Sequence, residues 1–186
     1  MAVEFNLPTC LTLLRIALIP LLAVVFYLPW EYSNIACTAI FIIAGVTDWL
    51  DGYLARKMSL ETAFGAFLDP VADKLMVAFV LVLLVQSQGS AYLAIPAAII
   101  IGREITIASL REWMAEIGQR AKVKVSQLGK WKTTAQMVAI GMLLYRQDFL
   151  GLPINMIGYW LLYLAAILTL WSMINYLMAA VSTLKE

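Results

Sequence analysis

The sequence contains no histidine, and only 13% of its 186 residues are charged. Without imidazole, any general base is a carboxylate, lysine or tyrosine, and any metal site is built from oxygen donors. Two cysteines, Cys10 and Cys37, lie in apolar segments and form no metal-binding pattern, so they read as packing residues. Scarce charge accompanies 63% hydrophobic residues, against roughly 45–50% in a soluble domain. The first twenty residues lack the basic start and small-residue cleavage site of a removable signal, so they read as a retained helix. The composition implies an all-α integral membrane protein, organised as one membrane domain over residues 1–186.

A bilayer core takes about 20 apolar residues of helix. Six spans fit the chain: Thr9–Leu28, Asn34–Met58, Leu60–Val85, Ala91–Ile117, Ser126–Tyr145 and Ile154–Leu184. Ser59 is the expected N-cap of the third. Of the basic residues at the span ends and beyond them, Arg56, Lys57, Arg120, Lys122, Lys124 and Lys185 fall on one side, and Arg146 falls on the other. The positive-inside rule makes the first side cytoplasmic. The expectation is a six-transmembrane-helix bundle with both termini cytoplasmic and with interfacial aromatics such as Trp30, Tyr32, Tyr92 and Tyr145.

Against this apolar background stands Thr47–Leu75, with four aspartates, Asp48, Asp51, Asp69 and Asp73. One ionised carboxylate at the bilayer centre costs at least about 2.5 kcal/mol on insertion scales. If spans two and three form an antiparallel hairpin turning near Ser59, Asp51 and Asp69 lie about nine residues from the turn, or roughly 13 Å at helical rise. Asp48 and Asp73 lie about twelve to thirteen residues from it, at roughly 18–20 Å. Asp48 and Asp51 share a helix face, as do Asp69 and Asp73. Four converging carboxylates repel unless cations neutralise them. Two divalent cations balance the charge, and oxygen donors suit Mg²⁺ or Mn²⁺, often together with substrate phosphates. Intramembrane aspartates also serve cation transporters, which stays open as a reading from the residues alone.

The spacing Asp48-x-x-Asp51-Gly52-x-x-Ala55-Arg56, then Gly65-x-x-x-Asp69-x-x-x-Asp73, resembles the signature of the CDP-alcohol phosphotransferases, with all eight positions filled. The resemblance implies a six-helix membrane enzyme, commonly a homodimer, in a bacterial cytoplasmic membrane with its site opening to the cytoplasm. It assigns the metals to Asp48, Asp51, Asp69 and Asp73, and general-base catalysis to Asp73. Gly52, Ala55, Arg56 and Gly65 would hold the CDP moiety, joined by Thr9 from the stretch Asn6-Leu-Pro-Thr9 that continues through Leu11-Thr12 and Arg15. Ordinary helix packing also accounts for the small residues, and positive-inside anchoring for Arg56.

Gly102-Arg103-Glu104 and Val125-Ser-Gln-Leu-Gly-Lys-Trp-Lys-Thr-Thr-Ala-Gln136 are similar to the branch of the family that uses CDP-diacylglycerol and sn-glycerol 3-phosphate. A buried Arg103 near the depth of the aspartates calls for an anion, and an acceptor carrying its own phosphate supplies one. Arg103, Lys130 and Arg111, with Lys132 and Lys124, are the candidate acceptor-phosphate residues. Their other readings are pairing of Arg103 with a carboxylate such as Glu104, snorkelling of Lys130 and a solvated loop at Lys124. Inositol phosphate or phosphatidylglycerol stays open as the acceptor. Membrane lipids are the expected surroundings, and nucleic acid is not an expected partner.

Overall fold

The computed structural model describes residues 6–58, 62–117 and 127–183. All regular structure among them is helical: α1 (Leu7–Tyr27), α2 (Ser33–Met58), α3 (Ala63–Gln88), α4 (Ala91–Glu116), α5 (Gln127–Tyr145) and α6 (Ile154–Thr183). The ends lie within about three residues of those expected from the apolar runs. Asn6 caps α1, its side chain accepting from the Thr9 amide at 3.0 Å, and Pro8 stands in the first turn, where no amide partner is lost. At the start of α3 the cap is Thr62, whose hydroxyl accepts from Gly65 N at 3.0 Å. Thr62 takes the role expected of Ser59, which lies outside the described residues; a hydroxyl three residues before a free amide is the geometry capping needs. Gly89, at φ +57°, closes α3 by donating to Val85 O at 2.9 Å, in a conformation that glycine adopts without strain.

The helices pack as a closed ring in the order α1, α2, α5, α6, α4, α3, with a further contact between α3 and α5 across it. Leu22, Leu81, Leu84, Ile100, Ile140 and Leu162 are fully buried in its core. The C-terminal ends of α1, α3 and α5 meet at one end of the ring. There the Tyr27 hydroxyl reaches Gln86, Arg146 donates to Ser87 Oγ at 2.6 Å, and Tyr159 pairs with Gln88. The N-terminal ends of α1 and α3 meet at the opposite end, where the Thr9 and Thr62 hydroxyls are 3.4 Å apart.

Four helices, α1, α2, α4 and α6, contain stretches long and apolar enough to cross a membrane, and only 22–28% of each such stretch is buried. The remainder turns large side chains outward, among them Trp49, Trp160, Ile167 and Trp171. A surface this apolar belongs in lipid, and the chain is a membrane protein.

α1 packs against both α2 and α3, and direct contact between α2 and α3 is marginal at most. A side chain of α1 reaches carboxylates on both helices.

Candidate functional site

That side chain is Arg15. It is almost wholly buried, and its guanidinium contacts carboxylates on both flanking helices: Asp48 Oδ1 at 2.6 Å, Asp51 Oδ2 at 2.5 Å and Asp69 Oδ1 at 3.2 Å. Thr12, one turn earlier on α1, donates to Asp51 Oδ2 at 3.4 Å. Asp48, Asp51 and Asp69 each place a carboxylate oxygen within 4.8 Å of the others. Asp51 is shut in, whereas the side chains of Asp48 and Asp69 keep 41% and 46% of their accessible surface, so the cluster is open on one side. Its donors are hard oxygens at a spacing one divalent cation can bridge, and they carry more negative charge than one guanidinium cancels, so this group fits Mg²⁺ or Mn²⁺.

Asp73 stands one turn beyond Asp69 on α3. It lies outside the three-carboxylate group but within electrostatic range of Asp48, Asp69, Arg15 and Glu104. With Asp48 it forms the polar end of a cavity of about 830 Å³ between α2 and α5. From Asp48 the cavity follows α2 through Gly45, Ile42 and Phe41 to Thr38, and on α5 it reaches Tyr145. Ten residues of α2 span about 15 Å, half of a bilayer's roughly 30 Å hydrocarbon core.

Gly65 belongs to a tight junction near the cluster. A Cβ there would lie 3.0 Å from Thr62 Oγ1 and 3.2 Å from Thr9 Oγ1. Glycine suits the position because the cap hydroxyl of α3 and a hydroxyl of α1 lie against it, and a larger residue would push both by a few tenths of an ångström. Thr9 is buried and its hydroxyl donates to Asn6 Oδ1 at 2.7 Å. Gly52 lies on α2 beside Asp51 and is partly exposed. Ala55 and Arg56 continue α2 toward Met58, but their side chains lie outside the described part, as does that of Lys130. Arg120, Lys122, Lys124 and Lys185 lie wholly outside the described residues.

Of the expected acceptor residues, the structure brings two together. Arg103 Nη1 is 2.6 Å from Glu104 Oε1, Lys132 Nζ is 3.4 Å from the same oxygen, and Arg103 Nη2 reaches Ser172 Oγ at 3.5 Å. Arg103 Nε is buried with no acceptor among the described residues. Lys132 is followed by Thr133 and Thr134, both in the cavity wall that Asp48 and Asp73 share. Arg111 is exposed two turns further along α4, about 12 Å of helical rise from Arg103.

Sequence reasoning missed Arg15 as a site residue and read it only as part of a motif. The signal was present: an arginine inside an apolar helix requires an acidic partner, and the nearby acids are those of Thr47–Leu75. Thr12 carried no comparable signal, because a threonine in an apolar helix commonly bonds to its own backbone.

The fold and site define an all-helical membrane protein with a carboxylate centre at the end of an apolar cavity. The CDP-alcohol phosphatidyltransferase family model matches residues 5–171, and the chain belongs to that family. Similar full-length proteins carry the name CDP-diacylglycerol–glycerol-3-phosphate 3-phosphatidyltransferase. The one from Haemophilus influenzae is 57% identical, over 98% of this chain and 97% of its own length. Those from Pectobacterium atrosepticum and Escherichia coli are 54% and 52% identical, each over 98% of this chain and 99% of its own length.

Proposed function

We propose that this chain transfers the phosphatidyl group of CDP-diacylglycerol to sn-glycerol 3-phosphate, giving phosphatidylglycerophosphate and CMP. The observation that carries the reading is the carboxylate cluster, whose Asp48 lines the α2–α5 cavity together with Asp73. A diphosphate held at the aspartates leaves room for an acyl chain along α2. The relatives' shared name supports the same donor and acceptor.

Asp48, Asp51, Asp69 and Asp73 are the residues to hold two divalent cations. When bound, these supply charge neutralisation for the diphosphate and for the oxygens that attack and leave. Gly52, Ala55, Arg56 and Gly65, with Thr9, form the CDP-binding surface. Small residues let a nucleotide lie along the helix backbone, and at Gly65 the junction with Thr9 and Thr62 ties α1 to the start of α3. The acceptor phosphate sits by Arg103 and Lys132, and Lys130, Arg111 and Lys124 are the further candidates to bind it. Arg103 has a donor to spare, Nε, and Glu104 holds the two cations in place until the phosphate arrives.

Asp73 accepts the proton of the acceptor's 1-hydroxyl. The oxygen bonds to the β-phosphorus as the phosphoanhydride bond to CMP breaks, so the proton ends on Asp73 and the negative charge on CMP. Direct displacement suffices, and no side chain here calls for a covalent intermediate. All six helices span the bacterial cytoplasmic membrane, with both chain ends and the aspartate end on the basic, cytoplasmic side, and the family resemblance supports a homodimer.

The test is an acceptor panel with purified protein, CDP-diacylglycerol and Mg²⁺ or Mn²⁺. CMP release is expected with sn-glycerol 3-phosphate and is abolished by EDTA. Faster release with inositol phosphate or phosphatidylglycerol would overturn the acceptor assignment, and no release with any acceptor would overturn the transfer reaction.

A further inference from the structure

Arg15 is more than a structural ion pair. Its guanidinium reaches three carboxylates from a third helix, and it enters from the closed side of the site, where its own side chain is 2% exposed. The open side is formed by Asp48 and Asp69. One positive charge against three negative ones leaves the group short of cations. Its Nε is buried and has no acceptor among the described residues, so the three carboxylates are the partners that hold the guanidinium.

We infer that Arg15 is a built-in counter-ion of the aspartate site: it holds Asp48, Asp51 and Asp69 together when divalent cations are absent, and it competes with those cations when they arrive. This rests on the reading of the aspartates as a divalent-cation site. The physical content is a linkage. A positive group in contact with the same carboxylates stabilises the cation-free protein more than the loaded one, because in the loaded form the carboxylates are already neutralised and the guanidinium faces like charge. Whatever it adds to the free form it subtracts, by reciprocity, from cation affinity. Arg15 therefore keeps the gap between α2 and α3 at its working width before loading, and it holds cation affinity down so that loading stays reversible.

The experiment uses the full chain, purified in detergent, as wild type, Arg15→Gln and Arg15→Lys. Thermal unfolding is followed in EDTA and in saturating Mn²⁺, and Mn²⁺ binding is measured by the electron paramagnetic resonance of the free ion. Arg15→Gln is expected to melt below wild type in EDTA and to recover most of that gap in Mn²⁺. Its half-saturating Mn²⁺ concentration is expected to fall on the order of tenfold, within the usual range of coupling between linked sites. Arg15→Lys, which retains the charge, is expected to fall between the two and carries the test if the glutamine variant does not fold. An equal loss of melting temperature with and without Mn²⁺, or weaker Mn²⁺ binding in the variants, would overturn the inference and leave the cation reading standing. Failure of the wild-type protein to bind Mn²⁺ would overturn both.

Discussion

Lys132 on α5 and Glu104 on α4 meet with Nζ 3.4 Å from Oε1, and Arg103 approaches the same oxygen at 2.6 Å, so two cations share one carboxylate. A phosphate entering beside them meets charge already gathered and oriented. Arg103→Ala and Lys132→Met are each expected to raise the KM for sn-glycerol 3-phosphate. Loss of one hydrogen bond to a charged group is worth about 1.5–3 kcal/mol, or roughly ten- to a hundredfold. The KM for CDP-diacylglycerol should change far less. Steady-state kinetics with each substrate varied in turn checks this, and an unchanged acceptor KM would return both residues to a purely structural role.

Thr62 ties the start of α3 to the start of α1 by capping Gly65 N and by meeting Thr9. Thr62→Ala is expected to cost about 1 kcal/mol through the lost cap, and Thr62→Ser to cost less. Gly65→Ala should be the more damaging change for activity, because its Cβ would press on both hydroxyls at 3.0 and 3.2 Å. Melting temperature and turnover, measured together, separate the two: the cap variant loses mainly stability, the glycine variant mainly turnover.

Gly141 lines the α2–α5 cavity, and a Cβ built there meets nothing within 4 Å. Gly141→Phe should therefore fold and fill the space intended for an acyl chain. Each methylene kept out of the cavity forfeits up to about 0.8 kcal/mol, roughly fourfold in kcat/KM. Comparison of long- and short-chain CDP-diacylglycerols checks this: the variant should lose activity mainly on the long-chain lipid, and an equal loss on both would mean that the cavity does not hold the chain.

Much of this was legible in the sequence because its signals are local. Apolar runs broken at Pro29, Gly89 and Pro153 set five of the six helix starts to within about two residues. The four aspartates stood out because carboxylates are costly in lipid. The start of α3 was misjudged because Ser59 and Thr62 are both competent caps, and which hydroxyl faces a free amide depends on where the turn closes. The packing of α1 between α2 and α3 is a tertiary choice that periodicity does not encode. Arg15 was overlooked for the same reason: its partners lie 33 to 54 residues away in sequence and meet it only once α1 fills that gap. Arg103, expected to face an anion, does so through its neighbour Glu104.

The central claim is that the four aspartates form one centre for phosphatidyl transfer, with Asp73 as its base. Asp73→Asn keeps the shape of the side chain and removes its ability to accept a proton. The most direct measurement is turnover of CDP-diacylglycerol with sn-glycerol 3-phosphate by this variant, set beside its affinity for CDP-diacylglycerol. The account predicts a loss of about 10²-fold or more, the lower range for a general base, with lipid binding largely spared. Turnover at the wild-type rate would contradict it.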